Sequence, residues 1–378
     1  MERITFLGNV VDEPMVRLGH IGCGSHSFRN LFAAYQFTPV ELVATCDLDE
    51  AKARAYARKF GARAHYTDYR EMIDREELDA VAICVGFDGR GRPLYPQIGS
   101  DCMRRGVHVF FEKPPAATAA EMETMMAASK ETGKIGLCGL KRMFFQMTTK
   151  AKQLIDGPDF GEPMLTMLQR EEFIPTMEEF GAYWGGEPVR PAVAFLDHFC
   201  HPASRMLYLA GMPQRMIYHR AASGAGVVTY EYDNGRVASM SFTKGGSGVA
   251  GGVERVTIVG TKQRTVVIEN CRVYWFQGPA SDPGVKEGYG DKTSYFTGPV
   301  GSTTALWEPE FQLGRLCGKG LFLLGYYDEV LEFARSVLEK RQPTRGTLLD
   351  CWRIAHMFEK FAEGPGKMLE LRQAPEQV

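Results

Sequence analysis

The sequence predicts an α/β protein: a doubly wound parallel sheet in its first part and a second domain of antiparallel hairpins in its later part. Three observations carry this expectation. Met15 to Asp47 runs strand, glycine turn, helix, strand and terminal acid, the order of a dinucleotide-binding βαβ unit. Leu78 to Val85 (LDAVAICV) is an unbroken apolar run, as in a strand buried on both faces of a parallel sheet. Between Met216 and Trp275, short strand-like runs alternate with turn signals such as Asp233-Asn234-Gly235, the spacing of antiparallel hairpins.

The bulk numbers narrow the function classes. At 378 residues the chain is too long for one ordinary core, so two domains are expected. Hydrophobic content of 44% and charged content of 24% are those of a soluble globular protein. A net charge of −2 without a basic run speaks against nucleic acid or a membrane as partner. No apolar stretch approaches the ~18 residues of a membrane span. Residues 1–14 lack the basic n-region of a secretory signal and read as an arm. Nine scattered cysteines without a C-x-x-C pair fit reduced thiols, so a cytoplasmic location is expected.

In chain order, Val16 to Ile21 is a strand, followed after the glycine turn by a helical segment to about Tyr35 and a strand over Glu41 to Cys46. Glu50 to Phe60 reads as a helix closed by Gly61, and Tyr69 to Ile73 as one capped by Asp68. A loop over Gly86 to Pro93 follows the Leu78–Val85 strand, then a helix over Gln97 to Arg105. Val107 to Phe111 is a fifth strand, Ala117 to Thr132 a helix, and Lys134 to Leu140 a sixth strand. This alternation argues for parallel pairing. A helix over Phe144 to Ile155 crosses into the second domain, where Pro163 to Glu172 reads as strand and Val193 to Ala210 as helix. Residues 277–320, rich in glycine, serine and proline, read as a long loop. Helices over Tyr326 to Glu339 and Thr347 to Phe361 close the chain, expected to pack back on the first domain, and a polar tail frays from Glu363. The expected organisation is an arm over 1–14, a dinucleotide-binding domain over 15–143, an α+β domain over 144–362 and a tail over 363–378.

Three clusters carry the chemistry. Gly22 permits the tight turn, and Gly24 leaves room for backbone N–H groups to approach a pyrophosphate. Ser25 and His26 open a helix whose positive end faces it. Asp47, 25 residues after Gly22, is placed to accept from a ribose diol, although serine occupies position 27, where a third glycine belongs. Glu112-Lys113-Pro114 follows the fifth strand; with Val85 it lies at the carboxyl ends of strands, where ligands of open α/β sheets sit. A lysine there can stabilise alkoxide character on a substrate oxygen, and Lys113-Pro114 is a candidate cis bond. In Asp197-His198-Phe199-Cys200-His201, the first and last residues are i and i+4 and share a helix face. Histidine is a natural proton acceptor at neutral pH. A zinc site from His198, Cys200 and His201 is disfavoured, because they do not share one face and no second cluster completes the ligand set.

These marks together resemble the Gfo/Idh/MocA family, the glucose-fructose oxidoreductase and inositol dehydrogenase group, over about residues 15–362. The resemblance rests on Gly22-Cys23-Gly24, Asp47, Glu112-Lys113-Pro114, and Asp197 with His201. It implies an N-terminal Rossmann domain and a C-terminal α+β domain with a large, mainly antiparallel open sheet. It also implies a nicotinamide cofactor and oxidation or reduction of a sugar or cyclitol carbon. By resemblance Lys113 is the catalytic lysine, Asp197 the substrate-positioning aspartate and His201 the acid/base histidine. The chain departs from the family's D-x-G-x-H-x-x-D at Phe199 and Ser204, and from its Thr-Pro-Asn-type strand end at Val85-Gly86-Phe87-Asp88.

The roles so implied give a mechanism in which His201 accepts the hydroxyl proton while hydride leaves the carbinol carbon, and Lys113 stabilises the developing oxygen charge. Asp47 favours NAD, with Lys52 and Arg54 leaving NADP open. Lys141, Arg142, Tyr183, Trp184 and His198 are expected near the substrate, and Trp307 is a candidate to stack on a sugar or complete a neighbouring subunit's site. A homodimer or homotetramer built on the C-terminal sheet is expected. Two other readings keep the fold: an NAD-dependent glycosidase working by oxidation and elimination, and a nucleotide-sensing regulator without catalysis.

Overall fold

The computed structural model describes residues 14–243, 252–262, 264–277, 304–308 and 319–372. Six strands form one parallel sheet: β1 (Val16–Ile21), β2 (Val40–Cys46), β3 (Ala64–Tyr66), β4 (Ala80–Ile83), β5 (His108–Phe111) and β6 (Gly136–Cys138), in the order β3-β2-β1-β4-β5-β6. This is the doubly wound order, with the reversal between β1 and β4. The crossover helices are α1 (Phe32–Tyr35), α2 (Glu50–Phe60), α3 (Tyr69–Arg75), α4 (Tyr95–Arg104) and α5 (Ala119–Thr132). A π-helical turn, Ser27–Leu31, leads into α1.

The local chemistry explains the helix boundaries. Asp49 caps α2 through Ala51 and Lys52, and left-handed Gly61 closes it. Asp68 caps α3, and Thr118 with Glu121 makes a capping box on α5. The strand β3 has only three half-buried or exposed residues, too short to leave a periodic signal, and sequence reasoning did not identify it.

The second sheet has nine strands: β7 (Pro163–Arg170), β8 (Arg215–Arg220), β9 (Gly226–Glu231), β10 (Val237–Phe242), β11 (Arg255–Gly260), β12 (Thr265–Glu269), β13 (Arg272–Phe276), β14 (Thr304–Trp307) and β15 (Leu369–Glu370). Their order is β14-β13-β12-β11-β7-β10-β9-β8-β15, antiparallel throughout except for the β7–β10 pair. The inner face carries Leu168, Val228, Met240, Val256, Ile268 and Val273, all buried. The helices α7 (Gln146–Ile155) and α9 (Arg190–Ala210) pack over this sheet.

Two expectations are corrected here. Within the stretch read as a loop over 277–320, Thr304–Trp307 is a strand paired with β13. Residues 278–303 and 309–318 lie outside the described residues, as do 1–13 of the expected arm. The tail is not frayed from Glu363: Leu369–Glu370 pairs with β8 and Leu371 is buried, while 373–378 lie outside the described residues.

The closing helices return to the first sheet. We number them α10 (Lys319–Leu323), α11 (Tyr326–Leu338) and α12 (Leu348–Phe361), after α6 (Lys141–Phe144) and α8 (Met177–Trp184). α12 packs on α5, where Trp352 Nε1 donates to Glu123 at 2.9 Å, and α11 packs on β1 and β5. The turn after β1 is sterically fixed. Gly22 has φ +99°, and a Cβ there would lie 2.1 Å from the Cys84 carbonyl oxygen. Gly22→Ala is therefore expected to cost at least the ~1–3 kcal/mol of the backbone conformation alone. Denaturant unfolding that showed no loss would contradict this geometry.

Candidate active site

The glycine turn and Asp47 form one unit. Asp47 Oδ2 accepts from Cys23 N at 2.7 Å and Oδ1 from Asp49 N at 2.9 Å, so the acid at the end of β2 is aimed by the turn itself. Ser27 replaces the expected third glycine without disturbing it. Its side chain is buried, and its hydroxyl donates to Gly22 O at 2.7 Å. Gly24 and Ser25 are exposed, and a Cβ on Gly24 would meet nothing within 4 Å. The helix start thus leaves space for a pyrophosphate to approach the backbone.

Beyond the carboxyl ends of β4 and β5 lies a cavity of about 180 Å³ lined by His26, Val85, Gly86, Glu112, Lys113 and Asp197, among others. The donor set around it fits a nicotinamide cofactor: a glycine turn, a ribose-facing acid and a strand-end crevice belong to one sheet. His26 does not stand alone. Asn30 Nδ2 lies 3.2 Å from its Nδ1, and its Nε2 faces Glu112 Oε1 at 2.9 Å; the amide donating to Nδ1 leaves the proton on Nε2 for the carboxylate. Burial pushes Glu112 up, but His26, Lys113 and Lys141 outweigh it and hold the carboxyl below its ordinary value. Glu329 on α11 is the opposite case. It is fully buried, neither carboxyl oxygen has an aligned partner among the described residues, and burial with Glu112 nearby pushes it well up. The two buried carboxyls are thus driven in opposite directions, Glu112 down and Glu329 up.

Lys113, joined to Pro114 by a cis peptide bond, reaches from the first sheet to α9. Its Nζ donates to Asp197 Oδ1 at 2.7 Å. Burial would lower the ammonium, yet the Asp197 carboxylate more than offsets it and raises Lys113 above its ordinary value. His198 flanks the same carboxylate at 3.7 Å, with its Nδ1 against Glu172 Oε2 at 3.0 Å. One turn further along α9 is His201, 8% exposed. Burial first, then the charges of Arg170, Lys141, Lys113 and Arg142, hold its imidazole well below 6.5. It is neutral at physiological pH.

The remaining expected residues divide. Lys141 Nζ donates to Tyr326 OH at 2.7 Å and sits over that ring; burial, then Arg142, lowers it to about 8. Arg142 pairs with Glu254 at 2.7 Å. Tyr183 is packed inward: its ring is fully buried and its hydroxyl donates to Gly91 O at 3.2 Å. Trp184 packs on Tyr183 and Phe358 under the Arg92 guanidinium. Both brace the Gly86–Pro93 loop. Trp307 lies in β14 beneath the Lys150 ammonium at 4.3 Å.

Sequence reasoning missed an ionic cluster beside this site. Glu254 receives Arg142, Arg170 at 2.9 Å and Arg205 at 2.5 Å. The partners are separated by tens of residues in sequence, so no local spacing announces them. Glu172, Tyr326 and Glu329 were missed for the same reason.

A model of an oxidoreductase family with an NAD-binding Rossmann fold, GFO_IDH_MocA, matches residues 16–139. The chain is 23% identical to a myo-inositol 2-dehydrogenase of Thermotoga maritima over 270 residues, 68% of this chain and 76% of that enzyme. An inositol 2-dehydrogenase of Salmonella typhimurium is 28% identical over 153 residues, 40% of this chain and less than half, 43%, of that enzyme. A levoglucosan dehydrogenase solved with NADH and L-sorbose shares the fold at TM-score 0.73, 16% identity, covering 96% of this chain and all of that one. Over residues 16–139 the chain thus matches the Gfo/Idh/MocA oxidoreductases, a family with an NAD-binding Rossmann fold.

Proposed function

We propose that this protein is an NAD-dependent dehydrogenase that interconverts a secondary alcohol and a ketone on a sugar or cyclitol. One observation carries the reading. The strand-end ammonium of Lys113 reaches Asp197 at 2.7 Å, one helical turn from a neutral histidine on the same face of α9. NAD, when bound, supplies the hydride acceptor. Lys113 holds a positive charge where the substrate oxygen becomes anionic, and Asp197 fixes the direction of that charge. His201, kept unprotonated by its surroundings, accepts the hydroxyl proton at an imidazole nitrogen during oxidation and returns it during reduction. Its exposure of 8% limits competing water. Incubating the protein with free sugars and inositols and following reduced nicotinamide tests the reading; no turnover with any polyol would overturn it.

Asp47 sets the cofactor preference in this reading, since a 2′-phosphate would meet its carboxylate. Asp47→Ala is expected to reduce the ratio of kcat/KM for NAD over NADP at least about tenfold, equivalent to ~1.4 kcal/mol. An unchanged ratio would assign the preference to other residues.

The outer face of the second sheet supports assembly through that face. Met167, Val227, Val237, Phe276 and Leu306 all project outward, each between 39% and 48% exposed. We place a homodimer or homotetramer contact there. Among the described residues no helix is long and apolar enough to cross a membrane.

A further inference from the structure

The arginine cluster on Glu254 has more positive charge than its carboxylates neutralise. Arg142, Arg170 and Arg205 converge on Glu254, and Glu171 lines the same cavity. Among the described residues of the cluster and its cavity, three guanidinium groups face two carboxylates, an excess of one positive charge. Arg205 is fully buried. Its Nη1 touches Glu254 Oε1 at ion-pair distance but without hydrogen-bond alignment, so no guanidinium nitrogen of Arg205 has an aligned acceptor among the described residues. The Nε groups of Arg142 and Arg170 are also buried without a hydrogen-bond partner among the described residues. Buried donors of this kind cost free energy until an acceptor reaches them.

The cluster adjoins a cavity of about 180 Å³ lined by Arg142, Arg170, Glu171, Glu254 and Asn270, among others. Two of its arginines, Arg170 and Arg142, act electrostatically on His201, and Arg205 ties the cluster to α9. Asp197, His201 and Arg205 are spaced i, i+4, i+8 on one face. Each step advances about 6 Å along the axis. Lys113 grips the first of these residues and Glu254 the last. The guanidinium end therefore lies one step beyond His201, a separation comparable with the span of a monosaccharide.

We propose that the substrate is acidic: a sugar or cyclitol carrying a carboxylate, which seats against Arg142 and Arg170 while its carbinol carbon lies beside His201 and Lys113. A carboxylate matches the single unmatched charge, whereas a phosphate monoester, at about −1.5 to −2, exceeds it. Guanidinium groups present forked donors suited to a planar carboxylate. The proposal rests on the polyol dehydrogenase reading above, deepening it to a substrate class.

The test uses matched pairs: D-glucuronate with D-glucose, D-gluconate with D-glucitol, and a cyclitol carboxylate with its neutral parent, plus glucose 6-phosphate. Binding to the NAD-loaded protein is measured by calorimetry and turnover by reduced nicotinamide. At least one acid is expected to bind tenfold or more tightly than its neutral partner, and more tightly than the phosphate. Arg170→Gln should raise KM for that acid about tenfold and abolish the preference. Should Arg170→Gln fail to fold, Glu171→Gln gives a second arm, because removing this negative charge should tighten acid binding severalfold. No acid binding better than its neutral partner, or Glu171→Gln leaving acid affinity unchanged, overturns the proposal. Preference for the phosphate replaces the carboxylate by a phosphate ester. An acid preference in binding without turnover of any compound preserves the subsite and removes the dehydrogenase reading instead.

Discussion

Lys113→Ala and His201→Ala are each expected to lower kcat by about 10²–10⁴, the range for losing a positioned proton acceptor or a charge aimed at a developing oxyanion. Affinity for NAD should persist in both, because the glycine turn and Asp47 are built from other residues. The two losses should not multiply in a double variant, since both groups act on one oxygen. The environment of His201 adds a pH signature. Its folded pKa is depressed by burial and by neighbouring cations, and oxidation uses the neutral form. As pH falls through ~6.5, the ordinary histidine value, kcat/KM for oxidation should therefore stay flat and decline only below it. A decline centred at or above that value, or either variant turning over at the wild-type rate, would remove the residue concerned from the mechanism.

Glu254→Gln is expected to destabilise the fold by about 3–5 kcal/mol, the usual consequence of removing one partner from a buried ionic group. The carboxylate is the shared partner of Arg142, Arg170 and Arg205, and Arg205 is fully buried. Burial pushes Glu254 up, but the three guanidinium groups hold it down at about 2. With the folded value depressed, its contribution is complete above the unfolded value near ~4.5 and is lost as pH falls from there toward 2. Wild-type stability in denaturant should decline across that window more steeply than the variant's. A cost under about 1 kcal/mol would mean that the arginines find other acceptors when the carboxylate is gone.

Local chemistry made much of this molecule legible. The β1 span, the α2 span with its Gly61 terminus and the Asp68 cap follow from apolar runs and capping residues a few positions apart. The short strands were the failures. β3, β14 and β15 hold three, four and two residues, so their pairing is decided by neighbouring strands rather than their own pattern. The candidate site divides likewise. Lys113, Asp197 and His201 stand in short motifs, whereas Glu254 and its arginines come from four separate segments that meet only in the folded chain. Tyr183 and Trp184 lie upstream of the site helix and pack beneath a loop, contacts that no local spacing announces.

The placement of the Glu254 cluster has an evolutionary corollary. The nucleotide-facing groups sit on the first sheet, while Arg170 and Glu254 stand at β7 and just before β11 on the second. With the substrate seated as proposed, selection can retune which metabolite is admitted by altering the rim of one sheet, leaving the proposed redox residues on the other intact. A lineage organised this way can diversify its diet without reinventing its chemistry.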